Sequence, residues 1–259
     1  MFQRIGLDGL DLTVRPGGHI APEAAPGDLP KAVHAAEQHG VRILMLTTAI
    51  TDPDKNAEGI LARCGELGIQ RVKLGYYHYK GFGTLRQQID DCRKRIERVA
   101  KLARKYQVLP CVHIHSGSII PCGGHIAYEL FRDFSPEDVG AYVDPMHMVL
   151  EGGVDGWRQG LDLLAPWIAL SSLKNASWHQ TERDQDGQQR WRYLKCPLAD
   201  GVAPIRQYVG VLNQLDYRGI YTLHSEYMDS GSFRRLNTDE CLEQTRKDFV
   251  FVKKVMAAA

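Results

Sequence analysis

Residues 84–115, TLRQQIDDCRKRIERVAKLARKYQVLPCVHIH, change their hydrophobic period partway along, and that change decides the fold class. In the first part Leu85, Ile89, Cys92, Ile96, Val99, Ala103 and Tyr106 recur every three or four residues, which lines one face of an α-helix with apolar groups. From Val108 that period stops, and the short apolar run VLPCVHIH predicts a strand. An amphipathic helix followed directly by a strand is a repeating unit of a parallel sheet covered by helices. Within the strand, His113 and His115 are two residues apart and share one side.

The same alternation extends outward in both directions. Further strands are predicted at 9–14 (GLDLTV), 42–48 (RILMLTT), 71–77 (RVKLGYY), 139–144 (VGAYVD), 168–174 (IALSSLK) and 219–226 (GIYTLHSE), making seven with 108–115. Helices are expected over 28–39, 54–67, 84–106, 125–134, 154–165, 202–215 and 238–256. With 259 residues, the chain matches a single α/β barrel domain of about 250 residues, the TIM (β/α)8 type. A closed barrel of that type has eight strands. Residues 5–12, IGLDGLDL, read as the end of a helix and then a strand, so the expectation is a barrel lacking its first βα unit. Unpaired edges of that kind invite a second copy of the chain, a homo-oligomer. Only 175–201 lacks an apolar period; its Trp178 and Trp191 suggest a lid closing over a site.

Composition narrows the partner. A hydrophobic fraction of 44% and a charged fraction of 24% are those of a protein with a substantial core. The net charge of +1 provides no field for nucleic acid or an anionic membrane. No apolar run approaches the roughly 18 to 20 residues of a membrane span. Six scattered cysteines without a CxxC pair fit a reducing, cytoplasmic location. A small-molecule partner is therefore expected.

In α/β barrels the chemistry lies at the carboxyl ends of the strands, and here those ends are dense in ionisable groups. They hold Arg15 and His19, then His78, His113 and His115, then Asp144 and His147, then Lys174, and finally His224 and Glu226. A lone strand-end histidine is ordinarily a hydrogen-bonded structural residue, but so many on successive strands argue for a site. Carboxylate and imidazole groups from different strands suit a divalent metal. Asp144, Glu226, His113 and His147 are the candidate ligands, for Zn²⁺ or Mn²⁺ first and Mg²⁺ or Co²⁺ next.

The runs YVDPMH, SSLKN and HSEY resemble strand ends of the sugar phosphate isomerase/epimerase family, the xylose isomerase-like TIM barrels. The resemblance extends from GLDGLDL to the last helix. It implies a metal held by Glu, Asp, His and Glu from four successive strands, with the two glutamates exchanging a proton beside a carbonyl. Carried onto this chain, the Asp is Asp144 and the last Glu is Glu226. His113 stands where the first glutamate is usual, and Ser172 where the histidine is. HIHSGS also resembles the H-P-H-x-G-T segment of inosose dehydratases, a lyase branch of the same barrels.

The expected activity is therefore metal-dependent isomerisation or epimerisation of a sugar or cyclitol through an enediolate. Glu226 or His115 would act as base, and Lys174 and Arg15 would stabilise negative charge. His19 and Trp178 would close over the substrate, with His78 and His224 also binding it. An inosose dehydratase-like lyase is one alternative. A carbohydrate-binding barrel without metal or catalysis is another. Phosphodiester cleavage, as in endonuclease IV, would need more metal ligands and a basic surface.

Overall fold

The computed structural model describes residues 5–258. Positions 1–4 of the amino-terminal stretch lie outside them. The strands are β1 (Gly9–Val14), β2 (Arg42–Thr48), β3 (Arg71–Lys73), β4 (Tyr77–His78), β5 (Leu109–His113), β6 (Ile119–Ile120), β7 (Gly140–Val143), β8 (Ile168–Leu173), β9 (Asn175–Arg183), β10 (Gln189–Cys196) and β11 (Ile220–Leu223). The α-helices are α1 (Ala25–Gln38), α2 (Lys55–Glu66), α3 (Leu85–Arg104), α4 (Gly123–Phe131), α5 (Pro145–Gly152), α6 (Gly156–Leu164), α7 (Ile205–Gln214) and α8 (Thr238–Ala258).

Seven strands form one sheet in the order β1-β2-β3-β5-β7-β8-β11, and every pairing in it is parallel. The sheet curls into a nearly closed barrel with the helices outside. No ladder joins β1 to β11 among the described residues. A TIM-type barrel one strand short of eight is thus the architecture, as the alternating periods predict.

Alternation along each strand separates two cores. Leu46, Val72, Val112, Val143 and Leu173 point outward into the large core shared with the helices. Met45, Cys111, Tyr142 and Leu170 point inward and plug the barrel. On α3, the fully buried Ile96 and Val99 each contribute about 2 kcal/mol relative to exposure in water. The alternation also carries Lys73, His113, Asp144, Ser172 and Lys174 to the inner side, above the plug.

Three features depart from the sequence reading, each for a local reason. The third strand ends at Lys73 rather than 77, because Gly75 leaves the ladder and its amide donates to the Ile50 carbonyl at 2.7 Å. A Cβ at Gly75 would lie 2.5 Å from the Ala49 carbonyl oxygen, so only glycine permits that approach. Tyr77 and His78 then pair antiparallel with Ile119 and Ile120. Residues 175–201 are not an irregular loop. β9 and β10 make an antiparallel hairpin that turns at Asp184 to Gly187. Both of its faces meet water over most of its length, which removes the alternation that marks a half-buried strand. Trp178 and Trp191 are 47% and 54% exposed on it. Finally, the short helix α5 follows Asp144 directly, in a stretch where the sequence reading placed no helix.

Candidate active site

Asp144 is the hub. It caps the amino end of α5, where its Oδ1 accepts the His147 amide at 3.2 Å and so satisfies a donor that the helix cannot. Its Oδ2 accepts from Ser172 Oγ at 2.5 Å and meets His113 Nε2 at 3.2 Å and Lys174 Nζ at 3.5 Å. Lys174 then reaches Glu226 Oε1 at 3.3 Å, and Lys195 reaches Glu226 Oε2 at 3.2 Å. An alternating row of charges, Asp144, Lys174, Glu226 and Lys195, therefore crosses the barrel mouth. Its inner end is sealed, with Asp144 wholly buried, while the Glu226 side chain is 44% exposed.

Burial sets the histidines apart from this row. It drives His113 down to about 3 and His224 to about 4, and holds His147 well below the usual imidazole value. Burial, the largest single influence, would raise both carboxyls, but Lys174 together with the other neighbouring donors and charges outweighs it, keeping Asp144 well below its ordinary value and Glu226 at about 2. Because the imidazoles are neutral, the ammonium of Lys174 is the cation that keeps Asp144 ionised. The unfolded chain binds protons on these histidines near pH 6.5 and the folded chain does not, so stability falls as pH drops below about 6.5. A histidine at 4 alone removes about 3 kcal/mol by pH 4. Chelator-treated protein should lose on the order of 10 °C in Tm between pH 7 and pH 5. A Tm constant over that range would contradict neutral buried imidazoles.

His113, Asp144 and His147 offer donor atoms within 4.8 Å of one another, all buried. Their chemistry fits a divalent cation. His147 Nδ1 is 2.8 Å from Ser116 Oγ, while its Nε2 is buried without a partner, 3.9 Å from Asp144 Oδ2. An imidazole held through one nitrogen, with the other unused beside a carboxylate, is the usual setting of a metal ligand. Two nitrogens and one oxygen also leave a fourth position open. Glu226 is outside this cluster; the cations next to it are Lys174 and Lys195.

The remaining candidates divide by location. His115 is half-buried, stacks on His147 at 3.7 Å between centroids, and directs Nδ1 to the Ser116 carbonyl at 2.8 Å. His224 donates or accepts through Nε2 with the Tyr142 hydroxyl at 2.8 Å, and its Nδ1 is 3.7 Å from Glu226. Arg15 and His19 are exposed in the loop after β1, with His19 Nδ1 2.6 Å from Thr13 Oγ1. His78 is exposed on the small β4–β6 ladder, and Trp178 packs edge-on against Tyr193 on the hairpin. Among the described residues neither of these two forms a hydrogen bond or ion pair with the charged row.

Three residues of the mouth escape a reading of strand ends. Lys195 arrives from β10 and bonds both Glu226 and Asp229. Tyr76 sits edge-on to His115, with its hydroxyl 3.5 Å from His113 Nδ1. Lys73 is 3% exposed, with Nζ 3.6 Å above the Tyr76 ring. Burial, then the positive charge of Arg15, lowers it to about 7. The ring face returns about 1 kcal/mol to an ammonium, less than one pKa unit at about 1.4 kcal/mol each, so it does not reverse the fall. Lys73 was detectable in principle, as the inward residue of RVK, once the strand is ended at Gly75.

Residues 2–248 match the family model described as xylose isomerase-like TIM barrel. The chain belongs to that family. Among curated proteins none matches this sequence. Among solved structures it is similar to the IOLI protein with a bound zinc atom, at 14% identity, covering 99% of this chain and 91% of that one with a TM-score of 0.72. It is also similar to D-allulose 3-epimerase of Methylomonas sp. in complex with D-allulose, at 14% identity, 98% and 88% coverage and a TM-score of 0.72. A third is 3-keto-D-glucoside 4-epimerase of E. coli, at 12% identity, 97% and 91% coverage and a TM-score of 0.68. At these identities the likeness is one of fold.

Proposed function

We propose that the protein is a sugar or cyclitol isomerase or epimerase that moves the proton on a carbon beside a carbonyl through an enediolate. The observation that carries this reading is Glu226, an ionised, solvent-reached carboxylate whose oxygen is 3.3 Å from the buried Lys174 ammonium. Such a pair joins a base to a fixed positive charge, which stabilises the oxyanion that forms as the proton leaves. Held at about 2, Glu226 is ionised at any working pH, so an acidic limb near pH 6 would belong to another group.

His115 is the partner for the second proton transfer. Its Nδ1 is held by the Ser116 carbonyl, which leaves Nε2 to exchange a proton. Arg15 and His19, exposed beside the mouth, bind substrate oxygens, and Lys195 orients Glu226. His113, Asp144 and His147 would hold a divalent ion, Zn²⁺ or Mn²⁺, and when bound it polarises a substrate oxygen. That zinc is bound in one structural neighbour and D-allulose in another supports the reading.

Dehydration is the second reading, favoured by the half-buried His115 as an acid for a departing hydroxyl. Incubating the metal-supplied protein in D₂O with ketoses and inososes separates the two. Deuterium beside the carbonyl together with a new epimer or isomer is expected; loss of water identifies the lyase. A sugar that binds without any exchange would leave only a binding protein. His147→Ala should abolish zinc uptake in calorimetric titration, and uptake equal to wild type would remove His147 from the ligand set.

A further inference from the structure

Lys73 is the one strongly perturbed cation of the mouth for which the proposed reaction has no use. It lies on the inner side of β3, and the groups that act on its charge are Asp11 and Arg15 from β1 and the loop after it, Lys174 beyond β8, and Glu226 beyond β11. Arg15, Lys174 and Glu226 are at the carboxyl end of the barrel, while Asp11 lies midway along β1. Its amine forms no ion pair and no side-chain hydrogen bond among the described residues; its neighbour is the face of Tyr76. Its Nζ is not one of their fully sealed polar atoms lacking a partner, although the residue as a whole is only 3% exposed. A structural lysine would pair with Asp11, but Asp11 Oδ2 accepts from Thr47 at 2.8 Å and its Oδ1 is buried without a partner, so no such pair is formed.

We propose that Lys73 is a carbonyl-condensing amine, forming a reversible imine with an aldehyde or ketone bound in the barrel mouth. This rests on the proposed function only in taking the ligand to be a carbonyl compound. The amine lone pair attacks the carbonyl carbon, a C–N bond forms, and the C=O π pair moves to oxygen. That oxygen leaves as water with one proton from the amine and one from solvent, giving the protonated imine. Water adds back to release the carbonyl, so no oxidant or reductant is consumed. Desolvation, together with the nearby positive charges of Arg15 and Lys174, keeps a useful fraction of the amine neutral near pH 7.

The test uses the intact protein, dihydroxyacetone as probe and cyanoborohydride to reduce any imine, followed by peptide mapping. At pH 7 one reduced adduct is expected on the Lys73 peptide. It should form on the order of 10²- to 10³-fold faster than on an ordinary solvent-exposed lysine, given the share of Lys73 amine left free with its value lowered to about 7. Its rate should rise with pH through about 7 and flatten above 8. Lys73→Arg, which keeps a cation but cannot condense, should lose that adduct. Adducts spread over surface lysines with Lys73 unmodified would overturn the assignment, as would a rate still climbing above pH 9. Labelled Lys73 without deuterium exchange on any sugar or cyclitol would defeat the proposed reaction and leave this inference standing; exchange with Lys73 unlabelled would do the reverse.

Discussion

Glu226→Gln should lower deuterium exchange beside the substrate carbonyl by roughly 10²- to 10⁴-fold, the usual contribution of a positioned general base. The substitution keeps one acceptor oxygen, for Lys174 at 3.3 Å or Lys195 at 3.2 Å, and turns an amide NH2 to the other, so the mouth loses a base and one of these two contacts. The side chain is also nearly half exposed, and its ion pairs are screened by water. Tm should therefore move little while turnover collapses. Substrate binding, measured by calorimetry, should persist because the metal cluster and Arg15 are untouched. Full exchange by the variant, in folded form, would remove Glu226 as the base and shift that role to His115.

Lys174→Met should have the opposite signature, with a large effect on stability. Asp144 is wholly buried, and without the ammonium at 3.5 Å only neutral donors, Ser172 and His113, face its Oδ2. Breaking a buried pair by removing one partner costs about 3 to 5 kcal/mol, which for a chain of this size is roughly 10 °C in Tm. The pH dependence has a definite sign. In the wild type the Asp144 carboxyl is held well below its ordinary value, so its contribution is present above about pH 4 and fades as pH falls through the depressed value. In the variant that carboxyl rises and can escape the penalty by taking a proton. The gap in Tm between the two proteins should be widest above neutrality and close toward acid pH.

Added Zn²⁺ should narrow the same gap at pH 7.5, since a cation on His113, Asp144 and His147 replaces the lost charge; at 100 times its Kd it adds about 2.7 kcal/mol. A variant as stable as wild type at pH 7.5 in chelator would show that Lys174 does not compensate Asp144.

These effects bear on how far local sequence could reach. The barrel was legible because the period switches at Val108 from three-to-four to strand, and because the switch repeats along the chain. The inward positions of His113, Asp144 and Lys174 were legible too, since side chains alternate along a strand whatever surrounds it. Other features were not. RVKLGYY is continuous in β propensity, and the contact of Gly75 with the Ala49 backbone that ends the strand comes from a different segment. With that end misplaced, Lys73 looked like the middle of a strand and His78 like its tip. The hairpin at 175–196 carried no alternation because water reaches both sides of it over most of its length, so it resembled a loop.

The sequence by itself determined a helix-covered parallel barrel, and the inward side and carboxyl-end placing of His113, Asp144 and Lys174, because periodicity and strand alternation are properties of neighbouring residues. Only the tertiary structure decided that the cation between Asp144 and Glu226 is Lys174, that His147 joins His113 around Asp144, and that Lys195 comes in from the hairpin. Those choices depend on distances across the mouth between strands far apart in the chain, and on how much water each group loses there, neither of which local spacing encodes.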